Sequence, residues 1–269
     1  MSTDGKLSLS KEQALASDRD PRDSIESPLG EPRDVPALPE AQFVEWLQRE
    51  GLQRYHHRHP FNLRMHAGQL TPAELRCWVY NRYYYQTRIP IKDALIIAKS
   101  EDPAFRRAWI RRIHDHDGRA TGEGGLWLWQ RLAEAVGLDR AELIRGEHVL
   151  PEARRAGDSY VEFVRGTSLL EAVAASLTEA FAKDLMAERV TAWQSHYPWV
   201  DSAGLEYFKS RVVQARSDSE EALGFVVSWT KTYADQARAV AALLKKTHIL
   251  WSFLDAVQGG CRVPEGEGA

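Results

Sequence analysis

Trp78-Val79-Tyr80-Asn81-Arg82-Tyr83-Tyr84-Tyr85-Gln86-Thr87-Arg88-Ile89-Pro90-Ile91-Lys92 puts aromatic rings, arginines, a glutamine and a lysine into one stretch of helical spacing. At about 3.6 residues per turn, Trp78, Arg82, Tyr85, Gln86 and Ile89 share an arc of roughly 100°, with Tyr80, Tyr83, Tyr84 and Thr87 across from it. Both sides are apolar enough to be covered, and a helix that is apolar all round belongs in an interior. The heads of Arg82 and Gln86 then need partners away from water, because an unpaired buried polar group is costly. A polar ligand would satisfy them. The helix start is written in Thr71-Pro72-Ala73-Glu74, with a cap hydroxyl, proline at the first helical position and glutamate three residues after the cap. Pro90 is expected to kink or stop the helix and swing Lys92 onto a new direction, since its ring removes a backbone donor and pushes Ile89 away from helical angles.

Working outward, apolar residues recur at three- and four-residue spacing from Pro39 onward. Breaks fall at Thr71-Pro72, Asp102-Pro103, Gly124-Gly125, Gly137, Gly166 and Gly204. The pattern predicts further helices near 39–50, 54–66, 103–117, 125–136, 139–146, 151–165, 168–190, 202–216 and 219–258, and no alternating strand. The last is the longest, with Leu223, Val227, Thr230, Ala234, Ala237, Ala241, Leu244, His248 and Trp251 on one seam. The fold class is therefore all-α, a compact bundle of about seven or more helices, in which ligand sites lie between facing helices. Residues 1–36, rich in Ser, Asp, Arg and Pro, read as a disordered extension, 37–258 as one domain and 259–269 as a flexible tail.

The 269 residues, 43% of them apolar and nine of them tryptophan, suffice for a sizeable core. The 35 basic and 38 acidic residues are mixed along the chain, so the net charge of -3 gives no positive stripe for nucleic acid. With only Cys77 and Cys261, neither a disulfide framework nor a zinc cluster is expected, which fits a reducing cytoplasm. No apolar run approaches the roughly 20 residues of a membrane span, and the amino terminus has no signal pattern, so the reading is a soluble, unsecreted protein.

Polar pairs at i,i+4 spacing recur in the other apolar helices: Arg112 with His116, and Tyr207 with Arg211. Lys183 and Arg189 follow Thr178 and Glu179, and Lys246 sits between Leu244 and Ile249. Cations beside so many apolar residues suggest a polyanionic small molecule. For any single arginine, surface salt bridging is the competing reading. His56-His57-Arg58-His59 and His114-Asp115-His116-Asp117 raise the question of metal, but no histidine has the glutamate three residues before it that di-iron bundles use. General acid and base work suits them better, while His57, His66, His114, His196 and His248 read as capping or core residues.

These residues together resemble a known family. Tyr55-His56, His59-Pro60, Met65-His66, Trp78-Val79, Asn81-Arg82, Tyr84-Tyr85-Gln86-Thr87, Ile89-Pro90 and Lys92-Asp93-Ala94 are similar to pyrroloquinoline quinone synthases. So are Asp115-His116-Asp117-Gly118, Glu134-Ala135-Val136-Gly137-Leu138, His148-Val149-Leu150-Pro151, Ser176-Leu177-Thr178-Glu179, His196-Tyr197-Pro198-Trp199, Tyr207-Phe208 and Ser210-Arg211. The likeness runs from about Pro39 to Asp255, which is far more specific than any short motif.

The resemblance implies a homodimeric, cytoplasmic helical bundle of thiaminase-like, haem-oxygenase-like fold that uses no metal or organic cofactor. It implies ring closure and eight-electron oxidation of a bicyclic, tricarboxylated quinone precursor, with dioxygen as co-substrate and hydrogen peroxide released. The matching cations are Arg82, Lys92, Arg112, Arg189, Arg211 and Lys246. Tyr55, Tyr85, Gln86, Tyr160, Thr178 and Glu179 match the orienting positions, His56 and His116 the proton-handling ones, and Tyr207 with Arg211 the oxygen pocket. One position departs: where the family carries a third site histidine, this chain has Met186, which cannot transfer a proton. A divergent relative that binds a quinone-like ligand or uses another substrate therefore stays open. So does a thiaminase-like hydrolase, for which Cys77 and Cys261 are the only thiols.

Overall fold

The computed structural model describes residues 36–261, apart from the side chains of 213–218. Every regular element among them is helical, as the periodicity predicts. In chain order they are α1 (Glu40–Arg54), a 3-10 turn (His56–Arg58), α2 (Pro60–His66), α3 (Pro72–Ala98), α4 (Pro103–Asp117), α5 (Gly124–Ala135), α6 (Arg140–Arg145) and α7 (Pro151–Gly166). Then follow α8 (Leu169–Ala175), a 3-10 segment (Ser176–Phe181), α9 (Ala182–His196), a 3-10 turn (Ser202–Leu205), α10 (Glu206–Trp229) and α11 (Tyr233–Gly260). No described helix is long and apolar enough to cross a membrane.

The aromatic helix α3 is the axis of the molecule and packs against α4, α5, α7, α8 and α11. Its start is the reciprocal cap expected: Thr71 accepts from the Glu74 amide, and the Glu74 carboxylate accepts from the Thr71 amide. Trp78 anchors the core against Trp129, Trp193 and Phe208, with ring centroids 5.5, 6.0 and 6.4 Å away. Rings of this size each bury roughly 150–250 Å², so this quartet alone is a large part of the apolar driving force.

Three expectations about element boundaries are corrected. Pro90 does not stop α3, which runs on to Ala98. The inward row of Arg82, Tyr85, Gln86 and Ile89 continues through Lys92, Asp93 and Ile96 at the same helical spacing, so Lys92 stays on the ligand-facing side. One missing backbone bond is outweighed by neighbours covering both flanks of the helix. The helix expected over 168–190 is three elements, because the chain tightens into a 3-10 segment at Ser176–Phe181. The break expected between 216 and 219 is absent, since α10 runs on to Trp229, and the helix expected over 219–258 is divided at Thr230–Thr232 instead. Thr232 caps α11 with Asp235 in a second reciprocal box, a signal present in the sequence as Thr232-Tyr233-Ala234-Asp235.

The cysteines are the fourth correction. Cys77 on α3 and Cys261 at the end of α11 form a disulfide, with Cα atoms 5.8 Å apart across a separation of 184 residues. Two cysteines make no framework, but the helix ends bring this one pair together. α11 also extends through Gly259 and Gly260, the first residues of the expected tail. The rest of that tail, 262–269, and all of the 1–36 extension except Pro36 lie outside the described residues.

Candidate active site

Several segments of the bundle send side chains to one buried region. Tyr55 and His56 come from the turn after α1, Arg82, Tyr85, Gln86 and Lys92 from α3, and Arg112 and His116 from α4. Tyr160 comes from α7, Thr178 and Glu179 from the 3-10 segment, Met186 and Arg189 from α9, Tyr207 and Arg211 from α10, and Lys246 from α11. All are buried except Arg82 and Glu179, which are partly accessible.

The contacts form a continuous chain. Arg82 lies over the Tyr85 ring at 4.2 Å, and the Lys246 ammonium lies 4.6 Å from that ring and 3.5 Å from the Tyr160 ring. The Tyr160 hydroxyl is 3.4 Å from Ser176 Oγ, which accepts from Lys92 Nζ at 3.0 Å. Lys92 also pairs with Asp93 at 2.6 Å, and Trp109 donates its indole N–H to the same carboxylate oxygen at 2.8 Å. Arg112 stacks on Trp109 at 4.1 Å and pairs with Glu179 at 2.5 Å. On the other side, Arg189 lies over Trp78 at 4.9 Å, donates to Asn62 Oδ1 at 3.0 Å and places Nη1 3.9 Å from Met186 Sδ. Tyr207 packs edge-on to Trp129 at 4.6 Å.

The charges do not balance. Lys92 and Arg112 have carboxylate partners, whereas among the described residues no carboxylate lies at ion-pair distance from Arg82, Arg189 or Lys246. Burial, reinforced by Arg82, pushes the Lys246 amine well below its ordinary range. The same two causes bring Arg189 down to about 10. Burial would raise the Glu179 carboxyl, but Arg112, Lys92, Arg211 and His116 outweigh it and hold it at about 2. His56 is driven down by burial and by Arg82, Arg189, His57 and Lys246, and His116 by burial and Arg211, so both are neutral imidazoles near pH 7. Burial raises the Tyr55, Tyr160 and Tyr207 phenols, leaving them protonated donors. Such a region is ready for an anion with several carboxylates and for proton movement beside it.

Sequence reasoning overlooked Asn62, Asp93, Trp109 and Ser176 here. Asp93 and Ser176 stand in the motifs quoted above, adjacent to Lys92 and Leu177, but nothing in the chain pairs them. Lys183, grouped with Arg189 by spacing, is exposed on α9 and outside the cluster. The histidine-rich stretches divide: His56 and His116 turn inward, while His59 caps α2 by accepting from the Phe61 amide. His196 and His248 are exposed. Among the described residues no three His, Cys, Asp or Glu side chains converge in a way that would hold a metal ion. A separate surface cavity of about 320 Å³, lined by His114, Asp115, Gly118, Gly125 and Ser210 among others, adjoins the cluster. Gly125 forms the wall: a Cβ there would sit 3.4 Å from Tyr207 and 3.5 Å from His116 Nδ1.

The model of the TENA/THI-4/PQQC family matches residues 47–257, from α1 to the last turn of α11. The chain belongs to this family. Among relatives, a pyrroloquinoline-quinone synthase from Rhizobium meliloti (strain 1021) is 46% identical over 220 residues, which is 80% of this chain and 86% of that protein. Another from Pseudomonas aeruginosa (strain LESB58) is 45% identical over 221 residues, 82% of this chain and 88% of the relative. Among solved structures, a Shewanella denitrificans domain with a heme oxygenase-like fold superposes with a TM-score of 0.70 at 14% identity, covering 86% of this chain and 97% of its own. A TenA homologue from P. horikoshii OT3 gives 0.65 at 13% identity, covering 81% and 99%. At such identities these two structures establish the fold alone, the haem-oxygenase-like, TenA-like bundle expected.

Proposed function

We propose that the protein is a pyrroloquinoline-quinone synthase: it closes a ring on a bicyclic, tricarboxylated quinone precursor and oxidises the product by eight electrons, with dioxygen consumed and hydrogen peroxide released. The observation that carries this reading is the enclosed set of basic groups, Arg82, Arg189 and Lys246, which among the described residues have no carboxylate at ion-pair distance, beside two neutral imidazoles. Three basic groups with no described carboxylate at ion-pair distance match a ligand that brings its own. The names of relatives sharing close to half of the residues along most of the chain support the same product.

The side chains divide the work. Guanidinium and ammonium groups hold the carboxylates and fix the rings in one orientation, converting collision into positioning. A neutral imidazole can take or give a proton near pH 7, and His116, whose buried Nδ1 has no hydrogen-bond partner, is the free one. Protonated Tyr55, Tyr160 and Tyr207 donate hydrogen bonds to quinone or carboxylate oxygens. Oxidation of the ring carbanion transfers electrons to dioxygen, and each dioxygen reduced to peroxide takes two electrons and two protons. Negative charge developing on oxygen is stabilised by Arg211 and Arg189, whose charges act on the same Tyr207 phenol. No metal or organic cofactor enters this reading, and the small-molecule precursor is the partner. A homodimer is proposed from the family resemblance.

The thiaminase-like alternative has lost its nucleophile, since both thiols are joined to each other. A binding protein with weak oxidation remains the second reading, because Met186 stands in the cluster beside Arg189. Mixing metal-stripped protein with the precursor, in air and without it, while following quinone absorbance and peroxide, tests the proposal. Turnover that requires air but no added metal is expected; binding without oxygen uptake would favour the second reading. Met186→His is expected to raise oxygen uptake on the same precursor, and no gain would show that the methionine is not what limits oxidation.

A further inference from the structure

Asn62 is fully buried on α2 and lies between two side chains of the candidate site. Its Nδ2 is 2.8 Å from the His56 carbonyl oxygen and 3.0 Å from His56 Nδ1, and its Oδ1 is 3.0 Å from Arg189 Nη2. The orientation of this amide is forced. A backbone carbonyl can only accept and a guanidinium can only donate, so the NH₂ faces His56 and the oxygen faces Arg189. Turning it over would set donor against donor at Arg189 and acceptor against acceptor at the carbonyl. The two hydrogens of the NH₂ then have one acceptor each, the His56 carbonyl and Nδ1, and Nδ1 must carry a lone pair.

We infer that Asn62 is a positioning residue that locks His56 as the Nε2–H tautomer, so that His56 offers the substrate a hydrogen-bond donor at Nε2 and does not serve there as a base. To act as a base at Nε2 the ring would first have to move its proton to Nδ1, against the amide hydrogens. The charged groups facing His56 agree with a donor role: Arg82 on α3, Arg189 on α9 and Lys246 on α11 all disfavour the doubly protonated ring, as does neighbouring His57. The acceptor is a carbonyl or carboxylate oxygen of the bound molecule. In the proposed synthase, which this inference deepens, base work then falls to His116, whose Nδ1 has no such lock.

The test begins without substrate. Full-length protein labelled with [15N]histidine is read by long-range proton–nitrogen correlation, with His56 assigned by its loss in His56→Gln. A protonated Nε2 and a bare Nδ1 at neutral pH are expected; a protonated Nδ1 overturns the inference, whether or not any variant folds. Asn62→Asp replaces the donor to Nδ1 by an acceptor, so the proton should move to Nδ1 and the ring should titrate at higher pH. An unchanged pattern in a folded Asn62→Asp would also overturn it, since a merely structural asparagine would lower stability without moving the tautomer. With the quinone precursor, Asn62→Asp should lower kcat by on the order of 100-fold, and because its new carboxylate also pairs with Arg189 it should raise KM as well. Should the precursor not turn over at all while the tautomer is as expected, the activity assignment fails and the lock on His56 stands.

Discussion

Lys246 shows most directly how burial turns a residue into a functional device. Its ammonium lies against two tyrosine rings with no carboxylate nearby, and burial and Arg82 lower its proton affinity. A carboxylate ligand reverses that by supplying the missing opposite charge. Proton affinity is therefore higher in the complex than in the free protein, so binding takes up protons and affinity falls as pH rises between the two values. Calorimetry of precursor binding in buffers of different ionisation enthalpy should give proton uptake, reduced in Lys246→Met; no uptake in the parent would show that the amine is already charged. Arg82 tests the same charge imbalance from the other side. Arg82→Gln should weaken precursor binding by about 2–3 kcal/mol, roughly 30- to 150-fold, with an unchanged circular dichroism spectrum. At this scale the candidate residues could be named by resemblance, but their partners could not. Lys92 with Asp93 is adjacent in sequence, whereas Arg112 with Glu179 and Arg189 with Asn62 join residues far apart in the chain.

Among the elements, those with punctuation in the chain were legible and those shaped by their neighbours were not. The Thr71-Pro72-Ala73-Glu74 start appears as a complete reciprocal cap. Thr71→Ala should lower stability by about 1 kcal/mol, or a few degrees in Tm, read by thermal denaturation without loss of precursor binding. An unchanged Tm would mean that the flanking helices hold that end by themselves. Pro90 taught the reverse lesson: local chemistry argues for a stop, yet α3 passes through because its far half is buried against α4 and α7. The segment at Ser176–Phe181 is similar, since its apolar spacing fits an α-helix while the chain winds more tightly there. That tighter winding brings Ser176 to Lys92 of α3 and Glu179 to Arg112 of α4, and a short 3-10 stretch between two helices often marks such a place.

At the scale of the whole molecule, one bond ties the centre of the fold to its end. Cys77–Cys261 closes nearly the entire bundle, and chain-entropy arithmetic for a loop of that length gives on the order of 5 kcal/mol relative to the open chain. Cys77→Ser, or a thiol reductant, should shift the denaturation midpoint to lower denaturant, and an unaltered midpoint would show that the two sulfurs are not joined in the folded protein. The proposed oxygen chemistry should survive the substitution, because neither cysteine is a member of the charged cluster. By itself the sequence determined the all-α architecture, through helical periodicity, and such polar residues set into apolar faces as Arg82, Gln86 and Arg112, because both are properties of spacing along the chain. Only the tertiary structure decided that Asn62 bonds to His56, that among the described residues Arg82, Arg189 and Lys246 have no carboxylate at ion-pair distance, and that two lone cysteines meet. Those facts depend on which helices end up side by side, which is settled by the packing of Trp78, Trp129, Trp193 and Phe208 and of the helices around them, and not by any local pattern.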